Sequence, residues 1–100
     1  MTHIGVRSET ETGELIANFD ANGIDLQILD EASTNSILLR FIDPYGDLVI
    51  NQLQLPILII ELTEMRIRST SSELRNHVVK LISFLNTANG VHVYVRFFGD

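Results

Sequence analysis

Apolar and polar residues change period several times along the chain, and each change predicts an element. The densest apolar stretch runs from Ile37 to Arg68: the run ILLRFI, a turn DPYGD, a short LVI, then LPILIIELTEMRIR. Before it, Glu14–Asp20 and Ile24–Leu29 flank Asn22-Gly23, a dipeptide that tolerates the positive φ of a two-residue hairpin turn. Within the second of these runs Ile24, Leu26 and Ile28 alternate with Asp25 and Gln27, the period of a half-buried strand. Ile37–Ile42 is apolar apart from Arg40, which predicts a central strand covered on both faces. Asp43, Pro44, Tyr45, Gly46 and Asp47 then predict a structural turn, with Pro44 presetting φ and Gly46 expected at positive φ. Leu48–Ile50 reads as a short strand pairing back on Ile37–Ile42.

Pro56 suits a first helical turn and has no place in a central strand, so Pro56–Arg68 reads as a helix, against the strand preference of Ile57, Ile59 and Ile60. Glu61, Glu64 and Arg68 fall on one narrow polar face, leaving an apolar arc wider than a single sheet contact requires. A capping box at Thr70–Glu73 opens a second helix. Its stripe is Leu74, Val78, Leu81, Ile82 and Leu85, and Asn89-Gly90 is expected to stop it with a left-handed glycine. Val91–Phe98 alternates as a last strand, with Tyr94, Arg96 and Phe98 on one face and valines on the other. Residues 1–13 show no sustained period and read as a flexible tail with a short strand at Ile4–Arg7. The predicted order is ββββααβ: an α+β fold in which an antiparallel sheet of about five strands carries two helices on one face.

Composition narrows the function classes. One hundred residues, 45% of them apolar, form a single domain, residues 1–100, with a real core. A net charge of −6, with seven scattered basic residues, argues against nucleic acid and against anionic membranes as partners. There is no cysteine, so disulfides and thiolate metal sites are excluded. The polar, acidic start MTHIGVRSETETGE is wrong for a signal peptide, and no apolar run approaches the roughly 18–20 residues of a membrane span. These features predict a soluble, cytoplasmic protein.

The run LRFIDPYGDLVINQLQLPILIIEL, together with the closing VYVRFFGD, resembles stretches of small bacterial proteins of the integron gene cassette type. Asp43, Pro44, Tyr45, Gly46, Asp47, Asn51, Gln52, Gln54, Leu58, Glu61 and Leu62 carry the resemblance, which covers about a third of the chain. It implies no activity and transfers no functional residue.

Candidate chemistry is sparse. Asp43 and Asp47 sit at the ends of a tight turn, where turn chemistry accounts for them without a metal, and a calcium loop needs a longer array of oxygen ligands. The histidines lack metal or protease spacing, the serines Ser69, Ser71 and Ser72 fit helix capping, and no glycine-rich phosphate loop occurs. No catalytic residue, metal or cofactor is therefore expected. Arg40 and Arg96 lie inside apolar runs and need partners, with Asp43, Asp47, Glu61 and Glu64 available. The leading expectation is a non-enzymatic interaction module, homodimeric and binding a protein partner, with Ile57, Ile60, Ile67, Tyr94 and Phe98 at the interface. The alternative is a small-ligand pocket between sheet and helices anchored by Arg40, Tyr45, Tyr94 and Arg96. An enzyme of unknown reaction comes third.

Overall fold

The polar-looking N-terminal stretch supplies a central strand. In the computed structural model, which describes residues 4–20, 23–24, 27–28, 36–42 and 46–99, Ile4–Thr10 forms strand β1. It begins as the short strand expected at Ile4–Arg7 and continues to Thr10, where a tail is expected. Ile4, Val6 and Ser8 turn one face of β1 into the core, and Gly5, Arg7 and Glu9 take the other. Leu15–Asn18 (β2) pairs antiparallel with β1, with an irregularity in register between Ser8 and Glu9. The hairpin between them turns at Gly13 (φ 87°). It does not turn at Asn22-Gly23, of which Asn22 lies outside the described residues. Gly23 (φ 70°) instead donates its N–H to Asp20 and lets Ile24 return to bridge Ile4.

Beyond that bridge the expected strand Ile24–Leu29 gives way to helical backbone at Gln27 and Ile28. Ile24 and Ile28 are both buried, and a separation of four satisfies a strand and a helical turn equally. The same ambiguity applies at Ile37–Ile42, which forms a 3-10 turn at Leu39–Phe41 rather than a central strand. Leu38, Leu39 and Ile42 are buried while Ile37, Arg40 and Phe41 are exposed, a helical spacing concealed in a continuous apolar run. The Glu61 carboxylate accepts the N–H groups of Ile37, Leu38 and Leu39, and Ser36 Oγ accepts that of Arg40, so this backbone has partners without a strand neighbour.

Asp47–Ile50 (β3) therefore pairs not with Ile37–Ile42 but with the last strand, Val93–Gly99 (β4). Asp43, Pro44 and Tyr45 of the expected turn lie outside the described residues. Among the described residues, left-handed backbone occurs at Gly13, Gly23 and His92, and Gly90 is not left-handed. The sheet has four antiparallel strands among the described residues, where about five are expected, in the order β2-β1-β4-β3.

Both helices form where expected. Helix α1 spans Leu55–Arg68 with Pro56 in its first turn. Asn51 and Gln54 open it reciprocally: Asn51 Oδ1 accepts from the N–H groups of Leu53 (2.9 Å) and Gln54 (3.0 Å), and Gln54 Oε1 accepts from that of Asn51 (3.0 Å). Helix α2 spans Ser72–Asn86, capped by Ser71 Oγ on the Leu74 N–H at 3.2 Å, one residue later than the Thr70 expected. It ends at Thr87, whose hydroxyl donates to the Phe84 carbonyl, before Asn89-Gly90 is reached. Leu55, Leu58, Leu62 and Met65 of α1 and Leu74, Val78, Leu81 and Leu85 of α2 join Ile4, Val6, Ile50, Val95 and Phe97 of the sheet in one core. The helices thus cover one face of the sheet, as the α+β reading requires.

The two left-handed glycines separate conformational from steric cost. A Cβ at Gly13 meets nothing within 4 Å, whereas at Gly23 it would lie 2.2 Å from the Ile4 carbonyl oxygen. Denaturant unfolding should show Gly13→Ala losing about 1 kcal/mol and Gly23→Ala about 3 kcal/mol or more. Equal losses would reject the close approach of the 20–24 turn to β1.

Candidate interaction surfaces

The face of the sheet turned away from the helices carries a chain of alternating charge. Arg7 and Arg96 are direct cross-strand partners, with Glu9 two residues along β1 and Asp47 at the start of β3. Glu9 is 2% exposed, and its carboxylate accepts from Arg96 Nε at 3.0 and 3.1 Å and from Arg7 Nε. Arg96 Nη1 reaches Asp47 Oδ2 at 2.9 Å. The Glu9 hydrogen bond, then that of Asp47, pushes the Arg96 guanidinium above its ordinary value against the opposing effect of desolvation, so it stays charged throughout the pH range of the folded protein. Phe98 lies over Gly5, its cross-strand partner, where an added Cβ would come within 2.2 Å of the ring. The Arg7 guanidinium sits 5.4 Å from that ring's centroid. Every member of the array has a partner, which makes it a structural ion-pair network.

Arg96 thus pairs with Asp47, one of its expected partners, and with Glu9, which was hidden in the supposed tail. Arg40 follows a different course. It is exposed on the 3-10 turn, with its guanidinium 4.9 Å from the Phe41 ring centroid. Glu61, expected on an exposed polar stripe, is occupied by the backbone of that turn. Arg40 therefore belongs to the helix side of the molecule and Arg96 to the open sheet face, and Tyr45 lies outside the described residues. Arg40 and Arg96, expected to anchor one pocket, are not brought together. The space between sheet and helices is filled by side chains such as Leu58, Leu62, Leu81 and Phe97, each at most 1% exposed.

Tyr94 instead lines a surface cleft of about 250 Å³ with Asn51, Gln52, Leu53, Val91, His92 and Val93. His92 holds left-handed backbone (φ 65°), and its Nδ1 lies 3.1 Å from a Glu11 carboxylate oxygen. His77 packs edge-on against Phe19, which also meets Phe84. Among the described residues no group of three His, Cys, Asp or Glu side chains is placed to hold a metal ion, and no helix is long and apolar enough to cross a membrane.

The interface residues expected from the sequence divide between two surfaces. Ile57, Ile60 and Ile67 are exposed on the side of α1 roughly opposite its buried residues Leu58, Leu62 and Met65. Tyr94 and Phe98, half-buried, alternate with Val95 and Phe97 and so lie on the open sheet face. The core separates the two groups, and one contact patch cannot contain both. Both surfaces carry exposed apolar residues, Leu15 and Val49 on the sheet face and the isoleucines on the helix side. Ile60 and Ile67 are 58% and 75% exposed; Ile37, whose N–H is bound by Glu61 of α1, is exposed as well, and Val79 of α2 lines one groove with Ile67.

Comparison of the chain with family models, with curated proteins and with solved structures finds no match.

Replacing Glu9 tests the charge array. Glu9→Gln leaves two guanidiniums without their shared anion and should cost about 1–3 kcal/mol in chemical unfolding, less than a fully buried pair because both arginines reach solvent. Asp47→Asn, at the exposed end of the array, should cost under about 1 kcal/mol. A neutral Glu9→Gln substitution would show that the network contributes nothing to stability.

Proposed function

We propose that this chain is an interaction module that self-associates into a homodimer and binds a protein partner through the outer face of its helix layer. The observation that carries the reading is the exposed apolar line Ile57, Ile60 and Ile67, spaced three and seven residues apart along one side of α1. An apolar stripe on the side of a helix away from its own core gains nothing until something covers it. Helix α1 is about 21 Å long at 1.5 Å per residue, too narrow by itself for the roughly 800 Å² per partner of a stable interface. Ile37 and Phe41 on one flank and Val79 on the other widen the apolar surface. Two copies related by a twofold axis would bring the same stripe against itself, the commonest form of self-association.

A small-ligand reading has one observation in its favour, the cleft lined by Tyr94 and His92, whose rim carries the exposed Leu53 and Val91. A ligand held there would raise the melting temperature in a metabolite screen, since it binds only the folded chain.

Light scattering at micromolar concentration should report about twice the 11.3 kDa chain mass. The double substitution Ile60→Asp with Ile67→Asp should give the single-chain mass with unchanged far-ultraviolet circular dichroism. A monomeric parent protein would reject self-association.

A further inference from the structure

The last turn of α1 and the first turns of α2 enclose an open groove of about 420 Å³, lined by Arg66, Ile67, Arg75, Asn76 and Val79. Its charge is opposite in sign to the net charge of the chain. The chain has 13 acidic against seven basic residues, yet among the described residues no carboxylate lines this groove and two guanidiniums do. Between them stand two aliphatic side chains exposed to solvent, Ile67 at 75% and Val79 at 40%. Arg75 is held in place, its Nη1 donating to the Ser69 carbonyl at 2.8 Å across the turn between the helices. A guanidinium anchored in this way loses less side-chain entropy on meeting an anion than a free one.

We propose that the groove receives an acidic amphipathic segment of a partner protein, its carboxylates on Arg66 and Arg75 and its aliphatic side chains over Ile67 and Val79. The inference rests on the interaction-module reading and names the chemistry of the partner. Three features select this occupant. The groove is open, whereas a small molecule needs most of its surface enclosed. Two cations on a chain of net charge −6 attract a short acidic segment, while a nucleic acid or an anionic bilayer would also meet the acidic remainder. The alternation of cation and aliphatic matches a helix or strand that presents both on one face.

The test is a fluorescence anisotropy titration of the full chain with three labelled probes. These are a 14-residue peptide carrying Glu and Leu at helical i, i+4 spacing, the same peptide with every Glu replaced by Gln, and a single-stranded oligonucleotide. The acidic peptide should bind, and more weakly as salt is raised. The Gln peptide, and the acidic peptide on the Arg66→Glu/Arg75→Glu double variant, should each bind at least about fivefold more weakly, as expected for two exposed ion pairs. If the double variant misfolds, Arg66→Glu alone gives the readout, since Arg66 is exposed. No binding of the acidic peptide, equal binding of both peptides, an undiminished variant, or tighter binding of the oligonucleotide overturns the proposal. Light scattering on the same samples keeps the two readings apart. An unsubstituted chain that is monomeric yet binds the acidic peptide refutes self-association alone, whereas a dimer that ignores the peptide refutes the groove alone.

Discussion

The antiparallel pairing of β1 with β4 is the contact on which the rest of the fold depends. It runs over seven residue pairs, from Ile4↔Gly99 to Thr10↔Val93, and joins the two ends of the chain at the centre of the sheet. β2 and β3 each pair with only one of these two strands, so neither has a sheet to join until the central pair exists. The inward residues Ile4, Val6, Val95 and Phe97 form the floor that both helices cover. Because the partners lie almost the whole chain apart, the loop-closure entropy of the fold is concentrated in this one step.

The same pairing builds two unlike surfaces. On the helix side the strands contribute only to the core, and what meets solvent is the outer face of α1 and α2, rich in isoleucine. On the open side they carry charge, and Glu9 is sheltered not by a helix but by the arginines that neutralise it. A half-exposed antiparallel sheet is usually polar on its outer face. Here that polarity is organised, with anion and cation alternating through Asp47, Arg96, Glu9 and Arg7. The charges of the open face are thus mutually paired, while the helix face presents the exposed isoleucines Ile57, Ile60 and Ile67.

The second helix and the alternation of β4 were legible in the sequence, because a long 3.6-residue stripe and a strict two-residue period each admit one reading, whereas α1 rested on Pro56 against the strand preference of Ile57, Ile59 and Ile60. β1 was not. Half of its inward face is Ser8 and Thr10, which pack opposite Val95 and Val93, so the strand lacks the aliphatic alternation that identifies one. Losing β1 to a tail also concealed Glu9, and Arg96 was left with only part of its partner set. The run at 37–42 misled for the opposite reason. Continuous apolarity is silent on period, and the feature that decides it, the Glu61 carboxylate taking three backbone N–H groups, comes from a residue 22–24 positions later. Of the candidate sites, the stripe on α1 could be read because it is local to one helix. The groove beside it could not, since it needs Arg66 and Arg75 placed across a turn.

The ends of β1 and β4 also determine how the molecule answers a pulling force. Ile4 and Gly99 are paired, so tension applied to the two chain ends acts at a single edge of the ladder and across it. The hydrogen bonds between antiparallel strands run perpendicular to the strands. Load would therefore fall on one pair at a time, opening the ladder from Ile4–Gly99 toward Thr10–Val93 as a zip fastener opens, rather than shearing all seven pairs at once. A fold held this way resists tension between Ile4 and Gly99 less than tension along the strands, because the first bonds to break are those that hold the sheet's centre.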